Sequence, residues 1–221
     1  MSTLDISINV ADQREVDMVF TGDDGIKESG RVSYDDFLEI VNDKEIYKEE
    51  SIWIPKLPEG AVDIKWSDAK NYSIVILVPG DRRYASFCNE KCYLPYPNLV
   101  FRFRVKNGKV QGGSAVMACM DDYHHFGPKT ELFNYPYGNV SAGSGSICWG
   151  GNALPKVKEP YELTALMELF FSANTNLDLW QAGKNAKAKT LKTFVRQQSR
   201  RKTFDTAKLV SAGTFEKWNK S

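Results

Sequence analysis

Apolar and polar positions alternate at Leu4, Ile6, Ile8 and Val10, the two-residue period of a strand with one covered face. Val16 to Phe20 predicts a second short strand, and Gly22-Asp-Asp-Gly25 a turn. Ser33 stands three residues before Asp36, the spacing of a capping box, and the helix it opens gathers Tyr34, Phe37, Leu38 and Val41 on one side. Positions 48–71 mix a short strand (Ile52 to Ile54) with Pro55, Pro58 and Gly60, so an irregular stretch is expected there. Ser73 to Val78 reads as a buried strand stopped by Pro79-Gly80. Leu99 to Val105 alternates apolar residues with Arg102 and Arg104, Asn107-Gly108 supplies a two-residue turn, and Val110 to Met120 runs back. Arginine at alternate positions predicts one buried face and one wet face. Leu132 to Tyr137 is a further strand candidate.

The character then changes. Residues 138–152 hold five glycines and three serines, with Cys148 and Trp149 among them. Beyond Pro155, the spacing of Leu163, Leu166, Met167, Phe170 and Phe171 predicts an amphipathic helix, with Pro160 suited to its first turn. Another helix is expected around Leu191, Phe194 and Val195. Strands that return on one another, then a loop, then helices make an α+β chain.

Composition adds little to this picture. The 221 residues are 42% hydrophobic and 26% charged, as in an ordinary folded protein, and four cysteines are too few for a disulfide scaffold. The longest aliphatic run, Ile74 to Val78, is far shorter than the roughly 20 residues a spanning helix needs. Met1-Ser-Thr-Leu-Asp5 carries no basic flank or apolar stretch, so the expected location is cytoplasmic, with no membrane partner.

Charge does change the picture. The net charge of +1 hides 14 acidic against 5 basic residues in positions 1–50, and 13 basic against 6 acidic in 150–221. From 179 to 204 there are eight cations and no acid: Lys184, Lys187, Lys189, Lys192, Arg196, Arg200, Arg201 and Lys202. Such a stretch serves either as a surface for an acidic protein or nucleic acid, or as a solvated tail helix lying near the acidic N-terminal part. Lys192, Arg196 and Arg200 are its candidate binding residues. With Phe194 the only aromatic between 181 and 203, the stretch is a poor stacking platform, which favours a protein partner.

Several chemistries can be set aside. No glycine-rich loop ends in the Gly-Lys-Ser/Thr of a phosphate cradle, and Gly143-Ser-Gly-Ser146 misses the spacing of a serine-hydrolase elbow. The two histidines, His124 and His125, are adjacent and offer little for a triad. Cys88 and Cys92 form a C-x3-C pair, but the second pair a structural zinc would want, Cys119 with His124 or His125, is unusual, and no metal is assigned. Cys148 is the remaining candidate nucleophile, set in a small-residue loop that leaves room around its sulfur. A cysteine needs no neighbouring histidine if its substrate is already a thioester, because that exchange is nearly thermoneutral. Asn139 and Asn152 are the amides placed to bind a developing oxyanion, and Trp149 flanks the sulfur. A half-buried loop cysteine with no chemistry is the other reading of the same residues.

Gly138-Asn-Val-Ser-Ala-Gly-Ser-Gly-Ser-Ile-Cys148 resembles the active-site segment of ubiquitin-conjugating enzymes, His-Pro-Asn followed by Gly-Ser-Ile-Cys-Leu. It is closer still to the bacterial ubiquitin-conjugating-enzyme-like (UBC-like) family that includes PRTRC system protein B and prokaryotic family D. The matching pieces are Pro97-Asn98-Leu99-Val100-Phe101, Tyr137-Gly-Asn139-Val140, Gly145-Ser-Ile-Cys148-Trp-Gly150, Pro155 and Phe170-Phe171-Ser172-Ala173. Together they cover roughly residues 95–180.

The resemblance implies a UBC-like fold: an antiparallel meander, helices packed on one face, and an active-site loop. Residues 1–70 and 181–221 lie outside the resemblance; the expected organisation is an N-terminal extension over 1–70 packed on the core, a UBC-like core over 71–180 and a basic helical tail over 181–221. Cys148 would accept a ubiquitin-like modifier as a thioester from an adenylating activating enzyme and pass it to a lysine amine on a target protein. Asn139 falls where the family's asparagine falls, one residue further from the cysteine, with Tyr137 and Gly138 in place of His and Pro. A JAB-type isopeptidase in the same anti-phage or plasmid-borne system is also implied. No cofactor is expected in this chain, because the activating enzyme consumes the ATP. A non-catalytic UBC-like scaffold or nucleic-acid-binding module is the alternative.

Overall fold

In the computed structural model, residues 3–9, 15–42, 55–151 and 154–220 are described. The expected short strand at Ile52 to Ile54 lies outside them. The N-terminal alternation forms β1 (Thr3–Asn9), followed by β2 (Glu15–Thr21) and β3 (Lys27–Ser33). Helix α1 (Tyr34–Asn42) starts where expected, with the Ser33 hydroxyl accepting the Asp36 N–H at 2.9 Å. Then come β4 (Ala61–Asp68), β5 (Asn71–Val78), β6 (Arg82–Phe87), β7 (Glu90–Pro95), β8 (Asn98–Lys106), β9 (Lys109–Val110), β10 (Ala115–Cys119) and β11 (Glu131–Asn134). The C-terminal part supplies α2 (Leu163–Ser172), β12 (Asn174–Thr175), α3 (Leu191–Gln198), β13 (Ser211–Thr214) and α4 (Phe215–Lys220).

Ten strands make one antiparallel sheet in the order β13-β11-β10-β8-β5-β4-β1-β2-β3, with β9 paired to β8. A second small sheet, β12-β6-β7, contains the one parallel pair among the described strands, β12 with β6. The chain is thus mixed α and β, with mostly antiparallel strands and few helices.

Six strands went unread in the sequence: β3, β4, β6, β7, β12 and β13. Of the 48–71 region, the described residues 55–60 are irregular, but β4 runs from Ala61 with Val62 and Ile64 buried, and pairs with β5. β6 and β7 are joined by Cys88-Asn89, both at positive φ (49° and 67°), a hairpin turn in which asparagine substitutes for the usual glycine. Their Cα pairs run from Arg82↔Pro95 to Phe87↔Glu90.

The central strands are covered on both faces. One face presents Ile74, Ile76, Phe101 and Phe103, over which α2 lays Leu163, Leu166, Phe170 and Phe171 and α3 lays Leu191, Phe194 and Val195. The other face presents Val75, Leu77, Val100, Met117 and Leu132 and is closed by Phe126, Phe215 and Trp218. Two expectations change as a result. Helices do not all pack on one face, since α4 sits on the opposite side. Arg102, expected on a wet face, is only 5% exposed. Its guanidinium lies 4.4 Å from the Trp218 ring centroid and donates to the Trp218 carbonyl. Burial first, and Arg104 second, pull its pKa down to about 10, so it remains charged at neutral pH. Arg104, two residues on, is exposed as expected.

Residues 181–221, expected as a basic helical tail, contribute Leu191, Phe194, Phe204 and Leu209 to the first core, and β13 pairs with β11. Trp218→Ala is expected to lower unfolding free energy by about 3–5 kcal/mol, the range for losing a large buried ring, aggravated by the charge left at Arg102. A shift of the urea midpoint at unchanged slope checks this.

Candidate active site

Residues 139–148 form a short hairpin rather than an open loop. The Cys148 N–H donates to the Asn139 carbonyl at 2.8 Å, Val140 bridges Ile147, and Ser141 N–H donates to the Ser146 carbonyl at 3.0 Å. The hairpin is stitched to β10: Val116 N–H donates to the Gly145 carbonyl at 2.8 Å, and Ile147 N–H to the Ser114 carbonyl at 3.0 Å. That approach needs glycine at 145, where φ is +71° and a Cβ would stand 2.6 Å from Met117 Sδ and 2.7 Å from the Val116 carbonyl oxygen. Gly138 is under the same constraint, since a Cβ there would sit 2.0 Å from the Asn176 carbonyl oxygen.

Alternation along this edge decides which way the sulfur faces. Ile147 is buried and Trp149 is half-buried, its ring 6.4 Å from that of Phe170, while Cys148 between them is exposed. Trp149 Nε1 is buried with no hydrogen-bond partner among the described residues. The indole packs against the core beside Phe170.

The four thiols are not equivalent. Cys119 is buried on the second core face, and burial, with Asp121 adding to it, pushes its pKa up to about 12. Cys92 is partly buried, and burial followed by Glu90 raises its thiol as well. Cys88 and Cys148 are the exposed pair. A thiolate nucleophile is available to a large partner only at those two.

Asn139 is placed by three hydrogen bonds to the segment after α2. Its N–H donates to the Asp178 carbonyl at 3.1 Å, its side-chain Nδ2 to the Asn174 carbonyl at 2.9 Å, and its Oδ1 accepts the Asn176 N–H at 3.2 Å. It holds φ at +66°, a conformation asparagine tolerates better than most residues. Two further asparagines hold the hairpin and were not singled out in the sequence. Asn134 Oδ1 accepts the Gly143 N–H at 2.7 Å. Fully buried Asn185 donates to the carbonyls of Tyr135 and Val140, both at 3.1 Å. Their partners lie up to 50 positions away, so no local pattern marks them. The Trp218 indole adds a bond to the Ser144 carbonyl at 3.0 Å, so α4 supports the hairpin as well as the sheet.

Of the other expected site residues, Asn152 lies outside the described residues. Lys192, Arg196 and Arg200 are exposed on and just beyond α3 and are not part of the Cys148 hairpin. Among the described residues no cluster of three or more His, Cys, Asp or Glu could hold a metal ion. A cavity of about 550 Å³ lined by Leu77, Pro79, Arg83, Met167 and Glu168 does not include Cys148.

An antiparallel sheet flanked by helices, with an exposed cysteine at the end of a pinned hairpin, makes this an α+β protein. Residues 41–212, more than three quarters of the chain, match prokaryotic E2 family D, and the chain belongs to that family. The match runs well beyond residues 95–180, from before β4 into the first half of β13. The role is therefore ubiquitin-conjugation-like in kind, with a ubiquitin-like modifier and an activating enzyme as the kinds of partner. No curated protein and no solved structure matches the chain. No helix among the described residues is long and apolar enough to cross a membrane.

Titration of the native protein with an aromatic disulfide reagent should show two rapidly reacting thiols, Cys88 and Cys148. Cys119 should react only after unfolding. Rapid loss of a third thiol would contradict the burial described.

Proposed function

We propose that Cys148 accepts the C-terminal carboxyl group of a ubiquitin-like modifier from an adenylating activating enzyme and passes it to a lysine amine of a target. The observation that carries this reading is the outward Cys148 sulfur, fixed between inward Ile147 and Trp149 on a hairpin braced to β10. In the first step the Cys148 sulfur attacks the activating enzyme's thioester carbonyl. One C–S bond forms, another breaks, and the enzyme's sulfur leaves as a thiol. In the second the lysine nitrogen attacks, the Cys148 sulfur leaves, and the nitrogen gives up a proton. The carbonyl arrives already activated, so the cysteine needs no adjacent general base.

The chain would work within a bacterial anti-phage or plasmid-borne conjugation system in which a JAB-type isopeptidase reverses the product. With its side chain bonded to residues 174 and 176, Asn139 is better supported as a positioning residue for the Cys148 hairpin than as the oxyanion donor.

Incubation with the cognate activating enzyme, modifier and ATP should give a band shift that reductant removes. Cys148→Ala should abolish it with folding intact, while substitutions at Cys88, Cys92 or Cys119 should not. Cys148→Ser should trap an oxyester that survives reductant and is cleaved by mild base. Charging by the Cys148→Ala variant, or a requirement for another cysteine, would overturn the assignment.

Asn139→Ala separates the two roles of that amide. Positioning predicts a similar loss in charging and in discharge to free lysine, with partial rescue by Asn139→Gly, which tolerates the positive φ. An oxyanion donor would instead slow discharge alone, by about 10²–10³.

A further inference from the structure

We infer that the outer face of the β6–β7 hairpin and the exposed face of α3 form one surface that binds single-stranded nucleic acid. This surface does not involve Cys148 and does not depend on the thioester chemistry.

Arg82 and Tyr84 stand exposed on one strand and Tyr93 and Lys91 on the other; Tyr84 faces Tyr93, while Arg82 is opposite buried Pro95 and Lys91 opposite half-buried Ser86. Tyr84 and Tyr93 are directly paired, their ring centroids 5.3 Å apart, and are 52% and 54% exposed. Two large rings left side by side in water form an apolar patch with no internal partner. Each has a cation diagonal to it: Arg82 lies 5.5 Å from the Tyr93 centroid and Lys91 lies 5.9 Å from that of Tyr84. Exposed rings alternating with cations can stack on bases while the charges meet the phosphates.

The hairpin is joined to the basic stretch. β7 packs beside α3, and Arg82 Nη2 donates to the Ser199 carbonyl at the end of that helix, at 2.9 Å. Helix α3 buries Leu191, Phe194, Val195 and Gln198, which turns Lys192 and Arg196 outward one turn apart, with Arg200 following. None of these three has an ion-pair partner among the described residues. Among the described residues the one ion pair made by a cation of the 179–204 stretch is that of Arg201 with Asp205, just beyond it, at 3.9 Å.

Among the described residues no acidic side chain of β1, β2 or β3 forms an ion pair with these cations. β1, β2 and β3 occupy the end of the sheet opposite β11 and β13, and Glu15 and Asp17 pair with Arg31. A platform lacking in the sequence around Phe194 is supplied by tyrosines about a hundred positions earlier. That aromatic pair favours unpaired bases over an acidic protein, which cations alone would satisfy.

The test uses full-length protein and a fluorescein-labelled 20-nucleotide oligo-dT, followed by fluorescence anisotropy. If about five phosphates are neutralised, affinity falls roughly 10²-fold between 50 and 200 mM salt, a log–log slope near −3.5. Lys192→Gln/Arg196→Gln/Arg200→Gln should reduce that slope by about two. Tyr84→Thr/Tyr93→Thr, which puts strand-favouring residues in place of the rings, should weaken binding about tenfold or more at unchanged slope. Circular dichroism confirms that both variants are folded, and the two report independently should one fail.

Absence of binding at 50 mM salt would overturn the proposal. So would binding indifferent to both sets of substitutions, or duplex of the same length binding equally well without need of the tyrosines. If oligo-dT does not bind and the triple variant loses only affinity for the activating enzyme or modifier, the surface belongs to an acidic protein instead.

Discussion

Strands β5 and β8 are buried on both faces, and the rest of the fold answers to that constraint. Each apolar side chain shielded from water there contributes about 1.5–3 kcal/mol, so an uncovered face would forfeit much of the stability of an ordinary domain. One face is closed by α2, α3 and the small sheet, the other by α4 with Phe126. Arg102 is the exception that shows how strict the requirement is. A guanidinium enters the second face only because Trp218 gives it both an aromatic ring and a backbone carbonyl.

The hairpin of Cys148 inherits its rigidity from that arrangement. It is short in large side chains, so backbone bonds to β10 and asparagine amides from distant segments hold it. Glycine at 145 lets two backbones come closer than any side chain would allow, and this close approach anchors the chain two residues before Ile147. The small-residue composition, which by itself reads as looseness, is here what permits tight seating.

Sulfur exposure fits the kind of chemistry that family membership indicates. An enzyme acting on a small, unactivated substrate needs a pocket, a base and water exclusion around the nucleophile. A thiol that takes over an existing thioester needs chiefly access and fixed direction. Cys119 shows the contrasting environment, in which burial raises the thiol and shuts out any protein partner.

What the sequence by itself determined about this protein lies within a few residues of each position. The strand periods around Leu4, Ser73 and Leu99, the Ser33 cap, the Asn107-Gly108 turn and the helix of Leu163 to Phe171 all depend on neighbouring side chains and the backbone between them. The small-residue setting of Cys148 was legible for the same reason. The strand after Gly60 and the β6–β7 hairpin were not, because their turn residues and mixed polarity resemble loops until a partner strand is present. Tertiary structure alone decided that Arg102 is buried, that Asn139 is spent on residues 174–176, and that Tyr84 and Tyr93 stand beside the basic helix. Each of these rests on a contact across a long stretch of chain, 116 residues between Arg102 and Trp218 and 117 between Arg82 and Ser199. Side chains so far apart meet only once the sheet has brought their strands and helices together, and no local pattern encodes which will meet.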